Sequence, residues 1–102
     1  MSIADAFLHP IDRIEPQPGY RILVFWKAGG HSLVDFSDDV ANGPVFEPLR
    51  DEQKFARVRL VREGTVIEWP EPIGLFGDPE VDVDADGLWY MAQAQNADIA
   101  AE

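Results

Sequence analysis

A chain of 102 residues has the length of one small domain, with room for a single hydrophobic core. Its apolar fraction of 46% and aromatic fraction of 11% are typical of a globular protein and exclude a disordered chain. Eight Lys and Arg against nineteen Asp and Glu give a net charge of −11, which disfavours direct binding of nucleic acid or of anionic membranes. Such a charge serves solubility through self-repulsion, and a basic protein partner is the alternative interpretation. We expect a single domain over 1–102, with its core at about 11–90 and an acidic, Ala-rich tail that frays over 91–102.

The absence of certain residues and segments disfavours several cellular locations and kinds of chemistry. It contains no Cys, so disulfides and thiolate chemistry are excluded. The N-terminal residues have neither the basic start nor the long apolar run of a signal peptide, and no window reaches the ~20 apolar residues that span a bilayer. We therefore expect a cytoplasmic protein.

The first half of the chain predicts a hairpin of strands. Ile11–Pro16 alternates weakly and is a candidate first strand, whereas Tyr20–Trp26 is rich in β-branched and aromatic residues and is the strongest strand in the sequence. Its nearly continuous apolarity suits either a central strand covered on both faces or one whose outer face meets a partner. A turn at Gly29-Gly30 returns the chain along His31–Phe36.

Short helices are predicted to follow. Ser37 is a candidate N-cap before Asp38 and Asp39, and the block Gly43–Phe55 is predicted to contain a turn and a helix over Glu52–Arg57. Asp51 is the candidate cap of that helix.

A second hairpin and a final helix complete the chain. Val58–Arg62 and Thr65–Trp69 alternate around a turn at Glu63-Gly64, and Leu88–Ala101 is rich in Ala and helix-prone. The predicted fold is α+β, with a small, mostly antiparallel sheet of two hairpins, short connecting helices and a C-terminal helix.

The segment Asp82–Asp86 followed by Gly87 matches the start of a calcium-binding loop. Gln93 stands where such a loop requires a bidentate Glu, and the Pro-rich segment before Asp82 cannot form the entering helix. We expect Asp82, Asp84 and Asp86 to cap the turn into the last helix instead. A small ligand-binding or divalent-metal-binding domain centred on this loop remains the alternative function.

No catalytic constellation is evident. His9 and His31 lie at a loop and at a turn, where both are expected to be solvated. Ser32 and His31 are adjacent on a strand, so their side chains point to opposite faces. We predict no enzyme activity, no catalytic or metal-binding residues and no cofactor.

Aromatic side chains are more informative. A small domain cannot bury all of them, and exposed aromatic patches commonly mark interfaces between proteins. Trp26, Phe76, Trp89 and Tyr90 are the predicted partner-binding residues, for a protein partner, for a second copy of the chain, or for both.

The order of these motifs resembles a small bacterial family known as domain-of-unknown-function family 2442. The resemblance runs from about Ile11 to Tyr90 and rests on four blocks: Phe25–Gly30 with Val34–Phe36, Gly43–Val58, Val66–Pro70, and Asp82–Trp89. It departs at Lys27–Gly30, where the family usually has Asp-Gly, and in a longer loop after Pro70.

The resemblance implies an α+β fold and no established catalytic residues. It also implies an antitoxin-like pairing with the product of a neighbouring gene, which would suit the acidic surface. Some relatives carry an added helix-turn-helix domain that binds DNA, but only twelve residues follow Tyr90 here. A non-enzymatic protein-interaction module is therefore the favoured hypothesis.

Overall fold

The computed structural model of the protein describes residues 8–69 and 81–100. Its regular elements, in chain order, are β1 (Ile11–Gln17), β2 (Arg21–Trp26), β3 (His31–Asp35), α1 (Ser37–Asn42), a 3₁₀ segment (Pro44–Arg50), α2 (Glu52–Phe55), β4 (Arg59–Val61), a 3₁₀ turn (Arg62–Gly64), β5 (Val66–Glu68), β6 (Asp82–Asp84) and α3 (Ala85–Ala100). The strands form two antiparallel three-stranded sheets, so the predicted α+β class is confirmed.

Sheet A has the order β1-β2-β3. The predicted strands and the turn at Gly29-Gly30 are confirmed, and β2 is the central strand. Ile22 and Val24 of β2 and Val34 of β3 are fully buried, which defines the inner face of this sheet. Because side chains alternate along a strand, every second residue of β2 and β3 points into the core.

Sheet B has the order β4-β5-β6, and its third strand was not predicted. The hypothesis that Asp82–Asp86 forms a loop is wrong, because Asp82–Asp84 pairs with β5 as strand β6. Asp is unfavourable in strands, but alternation exposes Asp82 and Asp84 and packs Val83 against the core. The two Asp side chains therefore remain in solvent while the backbone completes the sheet.

The turn between β4 and β5 requires Gly64. Arg62, Glu63 and Gly64 all have positive φ, and Gly64 is buried against β1. A Cβ on Gly64 would collide with the backbone oxygen of Ile11. Close contact between the two sheets therefore depends on glycine at this position.

The block Gly43–Phe55 anchors the short helices on the core. Leu49 and Phe55 are buried, and the backbone oxygen of Phe55 accepts a 2.8 Å hydrogen bond from Nε1 of Trp69. The predicted cap at Asp51 is confirmed, because its Oδ1 accepts a 2.9 Å hydrogen bond from the Gln53 N–H. The predicted cap at Ser37 is wrong: α1 begins at Ser37 itself, whose N–H donates to Oδ1 of Asp35 at 2.7 Å.

The core joins both sheets through aromatic rings. The fully buried Trp69, which follows β5, lies 5.5 Å from the Phe55 ring and 6.0 Å from the Phe36 ring, measured between centroids. Helix α3 begins three residues before the predicted start and adds Ala85, Leu88 and Ala92 to the same core. In residues 8–69 and 81–100, every helix is too short or too polar to cross a bilayer.

Candidate interaction surface

The charged residues are divided unequally along the chain. Residues 11–62 contain all eight Lys and Arg together with eight Asp and Glu, whereas residues 63–102 contain ten acids and neither Lys nor Arg. We call residues 11–62 the balanced region, and residues 63–69 and 81–100, which the structure describes, the acidic region. The net charge of the protein therefore resides almost wholly in residues 63–102, and six of the ten acids of that segment lie in the acidic region.

The start of α3 is held by two aspartates. Asp84 Oδ1 accepts a 2.6 Å hydrogen bond from the Gly87 N–H, which caps the helix as the sequence predicted. Asp86 has a different role, because its carboxylate accepts hydrogen bonds from the N–H groups of His9 at 2.9 Å and Leu8 at 3.4 Å. Asp86 therefore fastens the segment before β1 to the first turn of α3.

An aromatic surface forms at this junction. The His9 ring stacks on Trp89 with centroids 3.9 Å apart and planes within 4°, so the prediction that His9 is simply solvated is wrong. Trp89 also meets Tyr90 edge to face at 5.3 Å. Leu8 is 77% exposed and Tyr90 is 61% exposed. We call Leu8, His9, Trp89 and Tyr90 the α3 patch.

The structure brings two of the four predicted partner-binding residues together. Trp89 and Tyr90 lie together in the α3 patch, whereas Trp26 lies at the end of β2, partly buried, with its Nε1 donating to the Ser32 hydroxyl at 3.0 Å. Phe76 lies outside the described residues. Leu8 carries no signal in the sequence, because its proximity to α3 depends on a contact between residues 78 positions apart.

The segment Asp82–Asp86 does not have the geometry of a calcium loop. Its first three residues are extended in β6, and Asp84 and Asp86 direct carboxylate oxygens to backbone N–H groups. Among the described residues, no group of three His, Asp or Glu side chains is placed to hold a metal ion.

Two open grooves flank Tyr20, whose hydroxyl donates to the backbone oxygen of Arg50. One has a volume of about 350 Å³ and is lined by Pro16, Gln17, Pro18, Tyr20, Glu52, Gln53, Phe55 and Ala56. The other, of about 550 Å³, contains Arg50, whose guanidinium donates to the carbonyls of Val40 at 3.0 Å and Ala41 at 2.9 Å. That guanidinium stabilises the end of α1, which is a structural role.

Comparison with solved structures finds the same fold in a protein of Nitrosomonas europaea named as a candidate DNA-binding protein. The match has a TM-score of 0.68 and 25% sequence identity, and it covers 89% of this chain and 53% of that chain. The present chain thus spans about half the length of that protein. No curated protein matches the chain.

The family comparison agrees with the resemblance found in the sequence. The model of the family described as protein of unknown function (DUF2442) matches residues 11–94. This range includes both sheets and the first part of α3. The chain therefore belongs to the DUF2442 family.

Proposed function

We propose that the protein is a non-enzymatic interaction module that binds a basic protein through the acidic region. The observation that carries this proposal is the α3 patch, an exposed aromatic and aliphatic surface formed by α3 and by the segment before β1, neither of which contains Lys or Arg. An apolar centre with a charged surround is the usual arrangement of a protein interface.

The α3 patch has the properties of a preformed anchor. Trp89 is held by the His9 stack, and the backbone of residues 8 and 9 is held by Asp86. Aromatic side chains that are already ordered lose little conformational entropy on binding. Tyr90 and Leu8 offer exposed apolar area next to this rigid stack, as interface hot spots commonly do.

The charge of the acidic region adds selectivity. Asp82 and Asp84 are exposed on β6 near the start of α3. A cluster of exposed acids accelerates the encounter with a basic surface and disfavours acidic partners. The finer form of the proposal is an antitoxin-like role, in which the basic partner is the product of a neighbouring gene.

DNA binding is the second candidate, favoured by the name of the similar Nitrosomonas protein and by five Lys and Arg between Arg50 and Arg62. Against it, Arg50 is bonded to α1 carbonyls, and Arg59 donates to Glu68 at 2.8 Å. A net charge of −11 also opposes the approach of a phosphate backbone.

Co-expression with the product of the adjacent gene, followed by affinity purification and titration, tests the proposal. We expect a complex whose dissociation constant rises at least tenfold in Tyr90→Ala and in Trp89→Ala. Leu33→Ala, which truncates an exposed apolar residue in the balanced region, is the control and should bind as the wild type does. Binding that Tyr90→Ala and Trp89→Ala leave unchanged would contradict the proposal. Tight binding of a labelled DNA duplex without protein partner would favour the second candidate.

A further inference from the structure

Strand β3 forms an edge of sheet A and carries an exposed apolar residue. Within the part of the chain that the structure describes, no strand lies on the side of β3 opposite β2. Leu33, at the centre of β3, is 44% exposed. Edge strands of this kind readily pair with another strand unless they are charged, bulged or covered.

The backbone of β3 presents hydrogen-bonding groups on its free side. The Trp26 N–H donates to the Gly30 oxygen at 3.1 Å, and the Phe36 N–H donates to the Tyr20 oxygen at 2.8 Å, so even-numbered residues face β2. Because the pattern alternates, the N–H and C=O groups of His31, Leu33 and Asp35 point away from β2.

A side-chain amide already occupies one position on this free side. Gln95 of α3 accepts from the Asp35 N–H at 3.0 Å and donates to the Asp35 oxygen at 2.9 Å. These are the two hydrogen bonds that a neighbouring strand would form with Asp35. The edge of β3 can therefore accept the backbone amides of another strand. The backbone N–H and C=O groups of His31 and Leu33 lie further along the same edge.

The outer face beside this edge is apolar at its centre and charge-balanced around it. Leu23 lies opposite Leu33, and Phe25 lies opposite His31. The guanidinium of Arg13 sits 3.8 Å from the Phe25 ring centroid and is paired with Glu15. Such a surface has no net charge to select a strongly charged partner, but it can match a second copy of itself.

We propose that β3 pairs antiparallel with β3 of a second copy of this chain, about a two-fold axis at Ser32. Leu33 of each copy then lies opposite His31 of the second copy, and each opposed pair exchanges two backbone hydrogen bonds. Leu33 is covered by the His31 and Phe25 rings across the junction. This register leaves Gln95 on Asp35, whereas an axis at Leu33 would place a strand where the Gln95 amide lies.

Pairing with a second copy can be distinguished from binding of the basic partner. The two interactions use different surfaces and should respond in opposite ways to salt. Two chains that each carry a charge of −11 repel one another, and salt screens that repulsion. Added salt should therefore strengthen self-association and weaken binding of a basic protein. Either proposal can fail while the other holds.

Sedimentation equilibrium of the full chain, over a concentration series at low and high salt, tests the pairing. We expect a reversible dimer that is favoured by salt. Leu33→Lys, which places a charge on the edge, should raise the dimer dissociation constant at least tenfold, whereas Gln53→Lys, which adds the same charge at an exposed position of α2, should leave it unchanged. A wild type that remains monomeric under all conditions overturns the proposal, even if a different protein is found to occupy the edge. Dimerisation of Leu33→Lys with wild-type affinity overturns it as well.

A single introduced Cys tests the register, since the chain has none of its own. The proposed axis places Ser32 of the two copies in a non-hydrogen-bonded pair, about 4.5 Å apart at Cα, which is within the range of a disulfide. Under mild oxidation Ser32→Cys should form a covalent dimer much faster than Gln53→Cys at an exposed position of α2, which can react only through random collisions. Equal rates would overturn the proposal, and a thermal melt of each variant verifies that it is folded.

Discussion

The balanced and acidic regions use their charged side chains in different ways. In the balanced region, Arg50 binds the carbonyls at the end of α1, and Arg13 is paired with Glu15. In the acidic region, Asp84 and Asp86 bind backbone N–H groups. The balanced region compensates its own charge, whereas the acidic region satisfies hydrogen bonds and keeps its negative charge. This difference is the basis of our proposal that a basic partner binds at the acidic region.

Two cations of the balanced region nevertheless reach across to the acidic region. Arg59 binds Glu68, and Nζ of Lys27 donates to the backbone oxygen of Glu63 at 3.2 Å. These contacts lie at sheet B and its turn, not at the α3 patch. The compensation is therefore local to sheet B and its turn, while the side chains of Asp82 and Asp84 in β6 remain exposed.

The largest expected effect tests whether the two regions fold together. Trp69→Ala should lower the free energy of unfolding by about 3–5 kcal/mol, because the buried indole packs on Phe36 and Phe55 and its cavity cannot be refilled. Trp89→Ala is the matched control and should cost far less, since its ring is only partly buried. Chemical denaturation followed by circular dichroism measures both. Equal losses would contradict the assignment of Trp69 as the residue that joins the regions.

A smaller effect is expected at the contact between the sheets. Gly64→Ala should destabilise the protein by more than the ~1–2 kcal/mol that a left-handed backbone alone costs a side chain, because the new Cβ also meets the Ile11 backbone. Gly30→Ala has a similar positive φ but open space around it, so only the conformational cost applies. The difference between the melting temperatures of the two variants separates the cost of the left-handed backbone from the cost of the contact with Ile11. A Gly64→Ala variant no less stable than Gly30→Ala would refute the close contact.

The next effect concerns the aspartates of the acidic region. Asp84→Ala should lose about 1 kcal/mol, the usual contribution of an N-cap, whereas Asp84→Asn keeps an accepting oxygen and should lose less. Asp82→Ala, at an exposed strand position, should change the stability by no more than about 0.5 kcal/mol. The stabilities are read from denaturant midpoints, and equal losses at Asp82 and Asp84 would contradict the capping role.

The smallest expected effect is that of divalent cations. Millimolar Ca²⁺ or Mg²⁺ should leave the melting temperature unchanged, because Asp84 and Asp86 already serve backbone N–H groups. A rise in melting temperature that Asp82→Asn abolishes would instead support the alternative of a metal-binding domain.

The parts of the fold that could be predicted are those with local causes. Composition and alternation identified the long strands, and side-chain chemistry identified the caps at Asp51 and Asp84. Strand β6 could not be predicted, since three residues with two Asp form a strand only when β5 supplies a partner. Pairing across a long stretch of sequence overrides the local preference.

The candidate surface was predictable only in part for the same reason. Trp89 and Tyr90 lie within one helix, and their density in the sequence was a sufficient signal. The contribution of Leu8 and His9 depends on the Asp86 carboxylate, 77 and 78 residues away along the chain. Neither residue carries a pattern that indicates this contact.

The most direct test of the central claim is a pair of charge reversals in the binding of the adjacent gene product. Asp82→Lys and Asp12→Lys change the net charge equally at exposed positions, but the first lies in the acidic region and the second in the balanced region. Titration calorimetry at two salt concentrations should show affinity reduced several-fold by Asp82→Lys, with a weaker dependence on salt, and nearly unchanged by Asp12→Lys. Equal losses from the two variants would mean that only the overall charge matters, and the claim that the acidic region is the binding surface would be wrong.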